Sequence, residues 1–258
     1  EFFAPDQAPP RIMNLRDKLS ALSKIGIDRV VVEHFNAAFA RLTPEEFVTE
    51  IIVKRLNAKW ILIGDDFCYG AKRAGNFASL KAAGEQYGFE VSSIQTILED
   101  GERISSSALR TALANGDMKL AEKLLGRPYG ISGHVIHGQQ LGRKLGFPTL
   151  NLAVANHLHH RKPATTGIFT AQVLGLDEKP LAAVASLGVR PTVEDQGRVL
   201  LETHIFDYDQ DVYGKIITVE LLEKIRDEAK YDDLDTLTKA IASDAAHARN
   251  YFLKKAYV

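Results

Sequence analysis

Residues 133–151 combine glycines, cations and small polar side chains at spacings that suit phosphate chemistry. A strand-like run opens this stretch, a glycine-rich loop follows, and a threonine and an asparagine close it. The candidate binding residues are Gly138, Gly142, Arg143, Gly146, Thr149 and Asn151. Backbone amides free of side chains, a fixed positive charge and hard oxygen donors are what a nucleoside triphosphate and its Mg2+ require. Neither G-x-x-x-x-G-K-S/T nor G-x-G-x-x-G occurs in the chain, which indicates a phosphate-binding loop outside those two folds.

Glu202 is the second candidate for chemistry. It stands between Leu201 and Thr203 in a strand-like run, where an acid is unfavourable unless it is solvated or used. The alternation of apolar and polar residues by itself also allows Glu202 to be a strand residue that faces solvent. In the same way, Thr149 and Asn151 taken by themselves are compatible with a plain strand edge.

The run G-x-V-x-x-G-x-x-x-G-R-x-L-G-F-P-T-x-N at 133–151 resembles bacterial riboflavin kinase, the carboxy-terminal module of the bifunctional riboflavin kinase/FMN adenylyltransferases (FAD synthetases). The similarity continues through 186–192, 202–207 and 225–228, and so covers the second half of the chain. Leu150 stands where that family usually has alanine.

The resemblance implies a reaction and a role for each residue. The expected activity is transfer of the γ-phosphate of ATP to riboflavin, with FMN as product. Thr149 and Asn151 would bind Mg2+ and phosphate oxygens, and Glu202 would accept the proton of the ribityl terminal hydroxyl. Arg190 and Arg226 would belong to a lid over nucleotide or flavin, although loop arginines are usually solvated.

The first half of the chain resembles the nucleotidylyltransferase domain of the same family. Its second and third signatures are matched by 63–70 and 104–110, and the candidate residues are Asp66, Arg73, Arg103, Ser106, Ser107 and Arg110. A helix N-cap with solvated cations beside it is the alternative for the serines and arginines. The first signature, with H-x-G-H, does not occur in the sequence. We therefore expect that an amino-terminal piece is missing, and that conversion of FMN to FAD, expected of the intact enzyme, is impaired in this chain.

Composition excludes several classes of function. The 32 basic and 33 acidic residues argue against a nucleic-acid or anionic-membrane surface, so the expected partners are riboflavin, FMN and ATP. A single cysteine, Cys68, excludes an intrachain disulfide and fits a cytoplasmic protein. No apolar run has the length of a membrane span. His157, His159 and His160 lack a nearby cysteine or carboxylate, which disfavours a metal site. The sequence does not indicate the oligomeric state.

The pattern of hydrophobic residues changes character near Gly126. Before it, helical and strand-like segments alternate, with strands expected at 29–32 and 60–63, which predicts an incomplete Rossmann-like domain over 1–125. After it, period-two strands predict a Greek-key antiparallel β-barrel, the kinase domain, over 126–258 with a C-terminal helix from Leu234 to about Lys254. The five expected barrel strands are 131–137, 168–174, 181–187, 200–206 and 216–222.

Two other functions remain open at this point. One is a flavin- or nucleotide-binding module without turnover, which Glu202 together with Thr149 and Asn151 disfavours because a binder needs neither a base nor a metal pair. The other is a different small-molecule kinase on the same barrel, which the chemistry of the loop alone does not exclude.

Overall fold

The computed structural model describes residues 2–4, 7–64, 66–94, 98–99, 102–138, 141–153, 163–189 and 199–256. Its α-helices are α1 (Leu15–Lys24), α2 (Ala37–Ala40), α3 (Pro44–Glu46), α4 (Phe77–Tyr87), α5 (Ser106–Asn115), α6 (Met118–Leu125), α7 (Leu141–Lys144) and α8 (Leu234–Ala256). A π-helical segment, Phe47–Arg55, follows α3, and a short 3-10 turn spans Ala71–Arg73. Its strands are β1 (Trp60–Gly64), β2 (Glu90–Ile94), β3 (Leu98–Glu99), β4 (Glu102–Arg103), β5 (Tyr129–Ile136), β6 (Leu150–Ala153), β7 (Gly167–Leu174), β8 (Leu181–Val189), β9 (Val199–Ile205) and β10 (Ile216–Arg226).

The chain forms two compact units. The first comprises Glu1–Ala8 and Arg29–Arg103, and the second comprises Pro9–Asp28 and Ile104–Val258. Each unit has its own hydrophobic core. Among the described residues, no helix is both long and apolar enough to cross a membrane.

The first unit is built on a parallel strand pair. β1 and β2 pair in parallel, and α4 connects them, which is the βαβ arrangement predicted from the alternation of segments. Thr43 and Glu46 form a reciprocal capping box at the start of α3. The strand predicted at 29–32 is wrong: these residues form no strand, and Val30–Val32 are exposed. Valine-rich segments become strands only when a neighbouring strand pairs with them.

A closed antiparallel barrel forms the centre of the second unit. Within the described residues its strand order is β10-β5-β6-β9-β8-β7, closing back onto β10. Three consecutive strands, β7, β8 and β9, are followed by β10, which returns to lie beside β7; this is the Greek-key arrangement that was predicted. The period-two pattern predicted five of these strands. It did not predict β6, which is four residues long and contains the polar Asn151.

Side chains alternate between the interior of the barrel and its outer wall. Along β7, Phe169, Ala171 and Val173 are fully buried, whereas Ile168 is only partly buried. Leu187, Leu201 and Val219 extend this core across other strands, and α5 and α6 contribute to it. The interior is filled by side chains, so a ligand has to bind on the outer wall or at an end of the barrel.

The C-terminal helix α8 covers part of the outer wall. Ala245 and Ala248 of the helix pack with Val184 of β8 and with Phe206, just after β9. The helix predicted from Leu234 to about Lys254 is confirmed, with its last turn at Ala256.

Two register shifts interrupt β10 where it pairs with β7. Opposite β7, the pairing skips once between Leu221 and Glu223 and once between Lys224 and Arg226. Each extra residue reverses the side to which the following side chains point. The second shift therefore returns Arg226 to the outer wall, directly opposite Ile168.

Candidate functional site

One row of directly opposed residues crosses the outer wall of the barrel. From β5 to β10 it reads Ile136, Asn151, Glu202, Ser186, Ile168 and Arg226. Directly opposed residues of antiparallel strands project from the same face. Glu202 is therefore neither in the core nor isolated in solvent, since Asn151 and Ser186 flank it on the neighbouring strands.

A cleft lies over this row, between the barrel wall, the segment before β6 and helix α8. Its polar lining includes Thr149, Asn151, Ser186, Glu202, His204, Arg226, Glu228 and Asp244. Apolar side chains such as Ile168, Leu237 and Ile241 line it as well. The cleft thus brings together the two regions that the sequence predicted to be functional, the stretch 133–151 and Glu202.

The segment before β6 forms a compact turn stabilised by its own backbone. The amides of Leu145 and Phe147 both donate to the carbonyl of Gly142, at 3.1 and 2.8 Å. Gly146 has φ +85°, a left-handed conformation that favours glycine. At Gly142, an added Cβ would overlap the carbonyl of Phe147. Gly142 lines the cleft, whereas Arg143 and Gly146 are exposed.

Asn151 is held against backbone. It is buried, at 6% exposure, and its amide lies so close to Gly138 that a Cβ on Gly138 would overlap it. The φ of Gly138 is not in the left-handed range, so conformational freedom does not explain this glycine. The close approach of Asn151 explains why position 138 is a glycine. This contact links the loop before α7 to β6.

Glu228 is a second carboxylate in the cleft. Its carboxyl lies against Gly188 of β8, where an added Cβ would overlap it. Loss of solvation raises the pKa of Glu228, and the nearby Glu202 carboxylate raises it further. Glu228 and Ser186 were not predicted from the sequence. The pairing of Ser186 with Glu202 appears only once the strand register is known, and the proximity of Glu228 to Glu202 only once the fold is known.

Arg226 is anchored rather than loose. Its Nε and Nη2 donate to the two carboxylate oxygens of Asp244 on α8, at 2.9 and 2.6 Å, and its Nη1 donates to the carbonyl of Asp227 at 3.0 Å. The hydrogen bonds to Asp244 raise the pKa of the guanidinium. Arg226 thus joins β10 to α8 at the wall of the cleft. Arg190, the other expected lid residue, lies outside the described residues.

The six candidates for adenylyl transfer fall in two units. Asp66, Arg73 and Arg103 belong to the first and are exposed. In the second unit, Ser105 caps α5 by accepting from the amide of Ala108, while Ser106 and Ser107 are exposed in the first helical turn. Arg110 donates from Nε to the carbonyl of Pro10, at 2.9 Å.

The donor atoms of the cleft fit Mg2+. Thr149 supplies a hydroxyl oxygen and Asn151 an amide oxygen, and both line one cleft with the Glu202 carboxylate. Hard oxygen donors of this kind, few in number, suit an ion that also takes phosphate oxygens and water. The part of the chain that is described contains no group of three or more His, Cys, Asp or Glu side chains arranged for a metal. His157, His159 and His160 lie outside it.

Known proteins resemble both halves of the chain. The sequence pattern of the riboflavin kinases (Flavokinase) matches residues 125–252, and that of the FAD synthetases (FAD_syn) matches residues 1–108. A protein of Escherichia coli (strain K12), named bifunctional riboflavin kinase/FMN adenylyltransferase, is 46% identical over 252 residues, 98% of this chain and 79% of its own. A protein of the same name from Haemophilus influenzae is 42% identical over 252 residues, 98% of this chain and 80% of its own.

A solved structure covers both units as well. It is described as a macrolide-efflux protein from Streptococcus pneumoniae, and it matches with a TM-score of 0.74 and 31% identity over 93% of this chain and 76% of its own. The closed Greek-key barrel, with an acid, a hydroxyl and an amide in one outer cleft, lies in the part of the chain that the riboflavin kinase pattern matches. The chain belongs to the bifunctional riboflavin kinase/FMN adenylyltransferase family.

Proposed function

We propose that the barrel cleft phosphorylates riboflavin with ATP. The observation that carries the proposal is the pairing of Asn151 with Glu202 in a cleft that Thr149 also lines. In the reaction, the oxygen of the ribityl terminal hydroxyl forms a bond to the γ-phosphorus, and the bond from that phosphorus to the β-γ bridging oxygen breaks. FMN and ADP are the products.

Each polar residue has a role that its position supports. Glu202 accepts the proton that leaves the attacking hydroxyl, as a strand-held carboxylate can do without moving. Thr149 and Asn151 would hold Mg2+ together with phosphate oxygens, and the ion would neutralise charge on the phosphates. Gly138 and Gly142 allow the backbone to approach these side chains, and Arg143 provides positive charge beside the loop.

The apolar lining supports a flavin rather than a wholly polar substrate. Ile168, Leu237 and Ile241 offer a surface on which an isoalloxazine ring would bury apolar area. Arg226, fixed by Asp244, closes the same wall and would bind the flavin or the nucleotide through the edge of its guanidinium, with Arg190 as its expected companion.

The first half of the chain supports adenylylation of FMN to FAD. The FAD synthetase match over 1–108 supports this activity for a domain extending to about residue 125, with the kinase domain from 126 onward. Asp66, Arg73, Arg103, Ser106, Ser107 and Arg110 would bind the nucleotide. A cytoplasmic location is part of the proposal, because ATP and a reduced Cys68 both fit that compartment.

Product analysis tests the kinase proposal. The protein is incubated with riboflavin, ATP and MgCl2, and flavins are separated by chromatography. We expect FMN with ADP in equal amounts, and little product when MgCl2 is replaced by EDTA. Binding of riboflavin and ATP without ADP release would favour the non-catalytic module instead. Turnover of other alcohols with riboflavin inert would favour a different kinase.

A further inference from the structure

His204 connects β9, the strand that carries Glu202, to the turn that precedes β6. It lies on β9 two residues after Glu202, so both side chains project from the outer wall. Its Nδ1 is 2.8 Å from the carbonyl oxygen of Pro148, the residue before Thr149. A carbonyl only accepts hydrogen bonds, so Nδ1 carries the proton and donates. In the neutral ring, Nε2 is then an acceptor.

Aromatic contacts fix the plane of this imidazole. Phe147 of the turn and Phe206, just after β9, each meet the His204 ring edge-to-face, with centroids 5.6 Å apart in both pairs. The guanidinium of Arg249 on α8 lies over the Phe206 ring, 4.3 Å from its centroid. A continuous set of contacts thus runs from α8 through His204 to the turn that carries Thr149.

We propose that His204 is a positioning residue for the nucleotide. Its Nδ1–H donates to the Pro148 carbonyl and thereby fixes the position of Thr149 relative to Glu202. The inference rests on the proposed kinase function. Pro148 has no amide hydrogen, and the hydrogen bonds of the turn formed by Leu145 and Phe147 end before it. Among the described residues, the hydrogen bond of His204 to Pro148 attaches the last residues before Thr149 to β9, beside the backbone pairing of Leu150 with Thr203.

Two amide substitutions separate this role from catalysis through Nε2. The side-chain amide of asparagine can donate near the position of Nδ1, whereas that of glutamine reaches the position of Nε2. His204→Asn is expected to keep the KM for ATP within about twofold of wild type. His204→Gln is expected to raise that KM about 3- to 10-fold, the worth of one hydrogen bond, with a smaller change in kcat. The KM for riboflavin should change less than the KM for ATP in both.

A matched control uses a histidine with the same kind of bond. His134 Nδ1 lies 3.2 Å from the carbonyl of Gly214 and is exposed, away from the residues that line the cleft. His134→Gln should leave both KM values unchanged. Phe147→Leu provides a second test, because it keeps His204 but removes one ring that orients it; we expect a rise in the KM for ATP in the same direction.

Amide hydrogen exchange gives a readout that does not depend on turnover. The Phe147 amide should exchange faster in His204→Gln than in His204→Asn or wild type, because the turn loses its attachment to β9. Equal exchange in all three proteins, or a KM for ATP raised by Asn and not by Gln, would overturn the inference. A 100-fold fall in kcat in both variants with unchanged KM would also overturn it, in favour of a catalytic histidine. Absence of FMN formation by wild type contradicts the kinase proposal alone, since the exchange experiment still tests His204.

Discussion

Asn151 of β6 and Glu202 of β9 are directly opposed across two neighbouring strands, and both project from the outer wall of the barrel. The pairing is a property of the sheet rather than of a flexible loop. It holds a metal-compatible amide beside a carboxylate without requiring any movement on substrate binding. A site built on strands is more precise than one built on loops.

Glu202→Gln preserves size and removes the base. We expect kcat for FMN formation to fall by about 100-fold or more, the usual worth of general base catalysis, while riboflavin affinity changes little. Glu220→Gln is the matched control, because Glu220 is also a strand acid on the same barrel and hydrogen bonds Gln172 at 2.6 Å outside the cleft. Near-normal turnover of the Glu202 variant would remove the assigned role.

Thr149→Ala and Asn151→Ala should weaken use of MgATP more than binding of riboflavin. The reason is that these oxygen donors are expected to face the metal and the phosphates rather than the flavin ring. Calorimetric titrations with MgATP and with riboflavin separate the two effects. Loss of riboflavin binding with normal MgATP binding would mean that the assignment is inverted.

Gly138→Ala tests the contact between the loop and β6. The new Cβ would overlap the Asn151 amide, so the amide has to move, and we expect a rise in the KM for ATP similar to that of Asn151→Ala. Gly126→Ala is the control: it introduces a strained left-handed residue in open space, which should lower stability without changing that KM. An unchanged KM in Gly138→Ala would show that the position of Asn151 is not critical.

Asp244→Asn removes the charge that anchors Arg226. Asp244 is 6% exposed and receives two hydrogen bonds from the guanidinium. We expect a loss of about 1–2 kcal/mol in the free energy of unfolding, measured with urea, because hydrogen bonds between charged groups are stronger than neutral ones and Arg226 is partly solvated. Asp207→Asn breaks the comparable pair with Arg249 on an exposed surface and should cost less. Equal losses would contradict the anchoring role.

Flavin products also test the first half of the chain. Adenylyl transfer needs preorganised charge stabilisation on the α-phosphate and pyrophosphate, and the 258 residues contain no H-x-G-H. Loss of a preorganised donor commonly costs about 100- to 1000-fold in rate. We expect the 258-residue polypeptide to convert riboflavin to FMN and to form FAD at least 100-fold more slowly. Chromatography after a long incubation decides this, and efficient FAD formation would show that other residues supply the stabilisation.

The period-two pattern was sufficient to predict the barrel, and glycine spacing was sufficient to select the turn around Gly142. Register was not predictable, because a short strand such as β6 carries too few residues to reveal its partner. For this reason the sequence identified Asn151 and Glu202 separately but not as neighbours. It also missed His204, whose signal is a carbonyl partner 56 residues away. The strand expected at 29–32 failed because apolar composition alone does not supply a pairing partner.

The two interruptions of β10 give this strand a reserve of length that a regular strand lacks. Leu222 and Ile225 are the extra residues opposite β7, so deletion of either can remove one interruption and leave Arg226 opposite Ile168 on the outer wall. Deletion of a further residue would shift the pairing and move Arg226 away from Asp244. Natural variation in this strand should therefore accept the loss of one or both extra residues and reject larger deletions, whereas the turn between β7 and β8 should accept either.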